Sequence, residues 1–262
     1  MTRSLGLSCV YGERPPVDEI VRLLTDARWP WQPQLMSIGN VAGGALTPQV
    51  KGKIPIANLA AAVHDAFSAQ TASHVMLTCS KQQALNHAWV RVQTGNGSRH
   101  HKVPFDLMAV CRAEALPAGK SIEAWIDLAH DLVRAVRAVH GVIVVTRNDD
   151  HVSDEVWLTT TIRNGKLVHE FAAEIQRAES KRFYLGAKYV RAPRWGTYLP
   201  AWAVEAVGGY SAIEAKVAPA IAREVGETLY VQLSARVDDA LAPEAEAKRR
   251  ALADLLAPIT TP

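Results

Sequence analysis

Residues 121–146 constrain the fold more than any other stretch of this chain. Ser121 is a good N-cap, and Ile122, Trp125, Leu128, Ala129, Leu132, Val136 and Val139 recur at helical spacing up to a stop at Gly141. Val142-Ile143-Val144-Val145-Thr146 follows at once, β-branched at every position. That is the composition of a strand buried on both faces, in the middle of a sheet. A long amphipathic helix running into such a strand predicts helices packed against a sheet.

The elements on either side determine which kind of sheet. Leu5 to Tyr11 reads as a strand; Pro15 and Pro16 then open a helix with Val17, Ile20, Val21 and Leu24 on one face. Trp29 to Pro55 is rich in Pro, Gly and Gln, with Gly43-Gly44 and Pro48, so it predicts long loops with at most one short strand. A helix over Leu59 to Phe67 and a strand from Val75 to Cys79 come next. Trp89-Val90-Arg91-Val92 alternates, Gly95-Asn96-Gly97 turns, and Val103 to Cys111 returns, which predicts an antiparallel hairpin. The C-terminal third predicts a helix from Leu167 to Arg182 and a strand from Tyr184 to Val190. After these, a Ser211/Glu214 capping box opens a helix that Pro219 kinks and Gly226 closes. A strand from Leu229 to Leu233 and a helix from Pro243 to Leu256 end the chain. Hairpins mixed with helices predict an α+β fold, a largely antiparallel sheet with helices packed on it. No internal repeat or low-complexity linker divides the chain, so residues 1–262 are expected to form one domain, loop-rich over 1–56.

Composition narrows the class. At 262 residues and 48% hydrophobic composition the chain has ample material for a core. It has neither a signal peptide pattern nor an apolar run near the roughly 18 residues a membrane span needs, so the expectation is a soluble cytoplasmic protein. The net charge of +3 balances 29 basic against 26 acidic residues and gives no global pull toward nucleic acid or membrane. Cys9, Cys79 and Cys111 have no CxxC spacing and lie in apolar runs, where each reads as a small buried hydrophobe.

Chemistry-bearing residues gather in a few places. Asn148-Asp149-Asp150-His151-Val152-Ser153-Asp154-Glu155 sets four carboxylates and a histidine after the central strand. The run reads as a solvated acidic turn, as a patch for a basic partner through Asp149, Asp150, Asp154 and Glu155, or as a metal site using Asp150, His151 and Asp154. It matches neither an EF-hand nor HExxH. His100 and His101 follow the hairpin turn and should face opposite ways. On the long helix Asp127, His130, Asp131 and Arg134 make a polar stripe, the usual solvated face. Arg177, Lys181, Arg182, Lys188, Arg191 and Arg194 alternate with Phe183, Tyr184, Tyr189, Trp195 and Tyr198. Such interleaving suits nucleic acid, although aromatics in strands more often fill a core. There is no GxSxG, SxxK, GxGxxG or GxxxxGK[ST] pattern, so no enzyme, cofactor or resident metal is expected.

Four C-terminal pieces carry a resemblance: Arg194-Trp195-Gly196-Thr197-Tyr198-Leu199, then Val207-Gly208-Gly209, then Leu229-Tyr230-Val231-Gln232-Leu233, and Ala253 through Ile259. Together they resemble the C-terminal half of bacterial type VI secretion immunity proteins, close to the immunity protein fifty-two family, whose members look like partners of restriction-endonuclease-like toxins. The best-matching part is 193–259. The resemblance implies a non-enzymatic antitoxin that occludes a cognate toxin in the cytoplasm. It supplies no catalytic residue to carry over.

Overall fold

The computed structural model describes residues 4–13, 15–29, 35–42, 45–53, 58–68, 72–78, 88–93, 105–112, 116, 119, 121–146, 161–163, 166–168 and 190–260. Its strands are β1 (Ser4–Tyr11), β2 (Leu35–Ala42), β3 (Ala45–Lys53), β4 (Ala72–Thr78), β5 (Ala88–Gln93), β6 (Phe105–Arg112), β7 (His140–Thr146), β8 (Thr161–Arg163), β9 (Lys166–Val168), β10 (Gly196–Pro200), β11 (Ile221–Val225) and β12 (Thr228–Gln232). Its α-helices are α1 (Val17–Leu24), α2 (Leu59–Ser68), α3 (Ile122–Ala135), α4 (Ala201–Ala206), α5 (Gly209–Val217) and α6 (Pro243–Leu256). Ten strands form one sheet in the order β11-β12-β10-β7-β1-β6-β5-β4-β2-β3, and β8 pairs with β9 alone. Every strand pairing in the large sheet is antiparallel. The fold is therefore α+β with a largely antiparallel sheet.

The central strands behave as their composition demands. All of β1 is buried, as is β7 up to Val145. Leu7 lies between Ala109 of β6 and Ile143 of β7, and Leu5, Leu7, Cys9 and Tyr11 join the same core cluster as Ile20, Leu23, Trp125 and Leu132 of the helices. Cys9 and Cys111 are buried; Cys79 lies outside the described residues. No helix among the described residues is long and apolar enough to cross a membrane.

Ser121 caps α3: its Oγ accepts from the Ala124 N–H at 3.1 Å. Ser121→Ala should cost about 1 kcal/mol, read as an earlier midpoint in chemical denaturation. The helix is shorter than its periodicity, however. Arg137 takes a left-handed φ of 49° and Val139 already donates its N–H to Val10 O, so Val139 belongs to the approach to β7. Gly141 is accordingly no helix stop; it sits inside β7 opposite Cys9.

Three further expectations are corrected. The Pro/Gly-rich region from Trp29 to Pro55 holds two strands, β2 and β3, and 1–56 is not loop-rich. Gly39 sits opposite Pro48 where the register shifts, and β3 is one of the sheet's two outer strands. An edge strand tolerates a proline because one side of its backbone needs no ladder partner, and a bulge tolerates a glycine. The helix expected from Leu167 begins in a strand, since Leu167 and Val168 belong to β9; the remainder lies outside the described residues, as does Tyr184 to Tyr189. The helix expected from Ser211 to Gly226 is α5 followed by β11. Its N-cap is Gly208, not Ser211, and it ends at Val217 because Ala218 turns left-handed (φ 46°) ahead of Pro219.

Candidate functional site

The segment from β10 to β12 builds a recess among the described residues. Pro200, in an extended conformation, ends β10 and starts α4. Gly208 and Gly209, with φ of 96° and 83°, then reverse the chain into α5. After β11, Gly226 takes φ 59° and closes a tight hairpin in which Val225 faces Thr228. Between α4, the start of α5 and this hairpin lies an open groove of about 720 Å³, lined by Glu205, Tyr210, Ala222, Glu224, Glu227 and Leu229 among others.

Strand alternation separates this groove from the main core. Arg223 reaches Asp127 of α3 at 3.8 Å on one face of the sheet. Its neighbours Ala222 and Glu224 point to the other face, where α4 and α5 lie. Glu205, Glu224 and Glu227 line the groove along with Tyr210, the exposed large hydrophobic residue of the described set, at 43%. Arg223 also borders it, but its guanidinium has Asp127 as a counter-ion.

Beneath the hairpin, on the α3 face, is a closed polar network. Tyr198 and Tyr230 are paired across β10 and β12 with ring centres 4.8 Å apart, and His130 meets the Tyr230 ring edge-on at 4.5 Å. The Tyr198 hydroxyl bonds His130 Nδ1 at 2.9 Å. Tyr230 donates to Gln232 Oε1 at 2.8 Å, and Gln232 Nε2 donates to the Ser234 carbonyl at 2.8 Å. Trp195 Nε1 donates to Ser234 Oγ at 2.8 Å. Burial drives the His130 imidazole down to about 3, with Arg223 and Arg134 adding repulsion, and it raises both tyrosine hydroxyls above their ordinary range. None of His130, Tyr198, Tyr230 and Gln232 is more than 4% exposed, so the network lies inside the fold and holds the hairpin in place.

A second buried imidazole lies across the sheet. His140 Nδ1 donates to the Tyr198 carbonyl at 3.1 Å, and Nε2 accepts the Arg191 N–H at 3.1 Å. Arg191 in turn donates to Ser8 Oγ at 2.9 Å. Desolvation, with Arg191 opposing a second charge, holds His140 near 3.

The sequence-predicted residues scatter. Asp149, Asp150, His151, Asp154 and Glu155, with His100 and His101, lie outside the described residues. The α3 stripe is only partly solvated: Asp131 bridges Arg28 and Arg134 at 2.7 Å each, whereas His130 is buried at 1% exposure. A helical histidine spaced like a surface residue turned inward because two tyrosines of the sheet offer it a partner. Trp195 and Tyr198, from the basic-aromatic segment, are buried at 5% and 0% and present no stacking face. The remainder of that segment up to Tyr189 is outside the described residues. Among the described residues no group of three or more His, Cys, Asp or Glu side chains converges as metal ligands would. Sequence reasoning missed Glu205, Tyr210, Glu224 and Glu227, which come from α4, α5, β11 and the turn after β11. Gly226-Glu227 between Val225 and Thr228 was the available signal, a two-residue hairpin loop hidden by reading Gly226 as a helix end.

No family model matches the chain, and no curated protein does. Among solved structures, the chain is similar to the Pseudomonas aeruginosa T6SS protein PA0821, with a TM-score of 0.60 and 12% identity over 98% of this chain and 73% of that one. At that identity the likeness is one of fold.

Proposed function

We propose that this protein is a type VI secretion immunity protein, a non-enzymatic antitoxin that binds a cognate toxin and occludes it. The observation that carries this reading is the fold shared along nearly the whole chain with a T6SS protein. The resemblance of 193–259 to immunity proteins supports it independently.

A nuclease toxin has a basic substrate cleft, so an acidic surface on its antitoxin would imitate the phosphate backbone and steer association. Asp149, Asp150, Asp154 and Glu155 are the sequence's densest carboxylates for that role. The direct test is co-expression with the toxin encoded beside this gene, which should yield protected cells and a complex that co-purifies. Neither protection nor a complex would end the antitoxin reading. Reversing all four residues to Lys should weaken the complex by at least ~10-fold and flatten its salt dependence. Unchanged affinity in the reversed variant would remove the acidic run from the interface.

A further inference from the structure

We propose that the outer strand β11, with its groove, docks an extended, basic segment of a partner protein as an added strand of the sheet. This rests on reading the protein as a partner-binding molecule and specifies what one of its surfaces takes. β11 ends the sheet, and among the described residues nothing pairs with its outer side. The two-residue turn makes Val225 and Thr228 a hydrogen-bonded pair, so alternation makes Arg223–Tyr230 and Ile221–Gln232 hydrogen-bonded as well. The N–H and C=O of Ala222 and Glu224 therefore point outward, away from β12. An exposed edge of this kind recruits an extended chain through its backbone, and side-chain pockets then select which chain.

Selection comes from the groove. The side chain of an added strand that stands beside Glu224 enters the groove, whose lining includes Glu205, Glu224, Glu227 and Tyr210. A Lys or Arg there is neutralised by carboxylates and lies against an aromatic face. The alternate residues fall on the α3 side next to Arg223, where a cation is repelled and an apolar residue fits. A second copy of this chain is a poor occupant. Two copies joined edge to edge would bring two sets of groove carboxylates together, and a two-fold centred on Arg223 would set like charges directly opposite.

A capped peptide alternating Lys and Val, one residue longer than β11 at each end, is the probe. Titrated into the labelled full chain at low salt, it should shift the backbone amide signals of Ala222 and Glu224 first. An otherwise identical Glu-Val peptide should bind at least ~10-fold more weakly. Glu224→Lys leaves Glu205 and Glu227 in the groove and should shrink that preference. Ala222→Pro removes only an outward N–H and should abolish binding at unchanged melting temperature. If that variant fails to fold, N-methylating the peptide at the residues facing β11 tests the same bonds from the other side and should also abolish binding. Equal binding of the two peptides, signal shifts confined elsewhere, or binding indifferent to both backbone blocks would overturn the proposal. So would a dimer of the chain that Ala222→Pro converts to monomer. The titration contains no toxin, so its failure removes this docking edge while the co-expression assay judges the antitoxin reading separately.

Discussion

Gly141→Ala is expected to cost about 3 kcal/mol of folding stability and to lower the melting temperature by roughly 10 °C. A Cβ on residue 141 would lie 2.8 Å from Cys9 Cβ, 3.0 Å from Ser8 O and 3.3 Å from Cys9 Cα. Carbon pairs sit comfortably only near 3.5–4.0 Å. None of these atoms is the far end of a side chain that can swing aside. β1 is clamped between β7 and β6 along its length, so relief requires parting the two central strands of the sheet. Gly12→Ala provides the control, because a Cβ there meets nothing within 4 Å. Gly196→Ala should fall between the two. Its Cβ would press on the Tyr230 hydroxyl at 2.6 Å, and that ring can tilt, but only by disturbing its bond to Gln232. Equal unfolding midpoints for the Gly141 and Gly12 variants would refute the close packing of β1 on β7.

The same two strands show how far the sequence was legible. Continuous β-branched residues announce β7 as central because only a strand shielded on both faces can afford them, and the apolar spacing of α3 announces its partner. Tertiary context then overruled local patterns at named points. Val139 keeps helical spacing, yet its N–H is claimed by Val10 O. Gly39 and Pro48 look like loop residues, yet a sheet edge and a bulge absorb them. His130 is spaced as a surface residue, yet it is buried against tyrosines from strands 68 and 100 positions onward. The groove was least legible of all. Its carboxylates come from α4, β11 and the hairpin turn, and no spacing within one element brings such residues together.

Acidification should destabilise the fold steeply between pH 6.5 and 5, and the two imidazoles buried among the described residues, His130 and His140, are a cause. In the folded chain His130 and His140 are held near 3, whereas an unfolded histidine titrates near 6.5. Above that value both states are neutral and the stability is complete. Below it the unfolded chain binds protons that the folded chain refuses, so stability falls by about 1.4 kcal/mol per pH unit for each imidazole until the folded groups titrate in turn. Both sites show why the folded chain refuses. On His140 a second proton would displace the Arg191 N–H from Nε2, and Arg191 would repel the charge. On His130 the cation would need acceptors at both ring nitrogens, and Nε2 has none, while Arg223 and Arg134 repel the charge with only Asp131 in opposition. The carboxylates held low, Asp26 by Arg28 and Glu246 by Arg249, contribute stability that is lost only as pH falls below the ordinary carboxylate range, so the upper window isolates the histidines. His140→Gln supplies a neutral donor and acceptor that do not titrate. Its stability, measured by urea unfolding at each pH against its own value at pH 7.5, should fall between pH 6.5 and 5 with a slope smaller by one imidazole's share. An undiminished slope would mean that His140 accepts its proton without leaving the folded state.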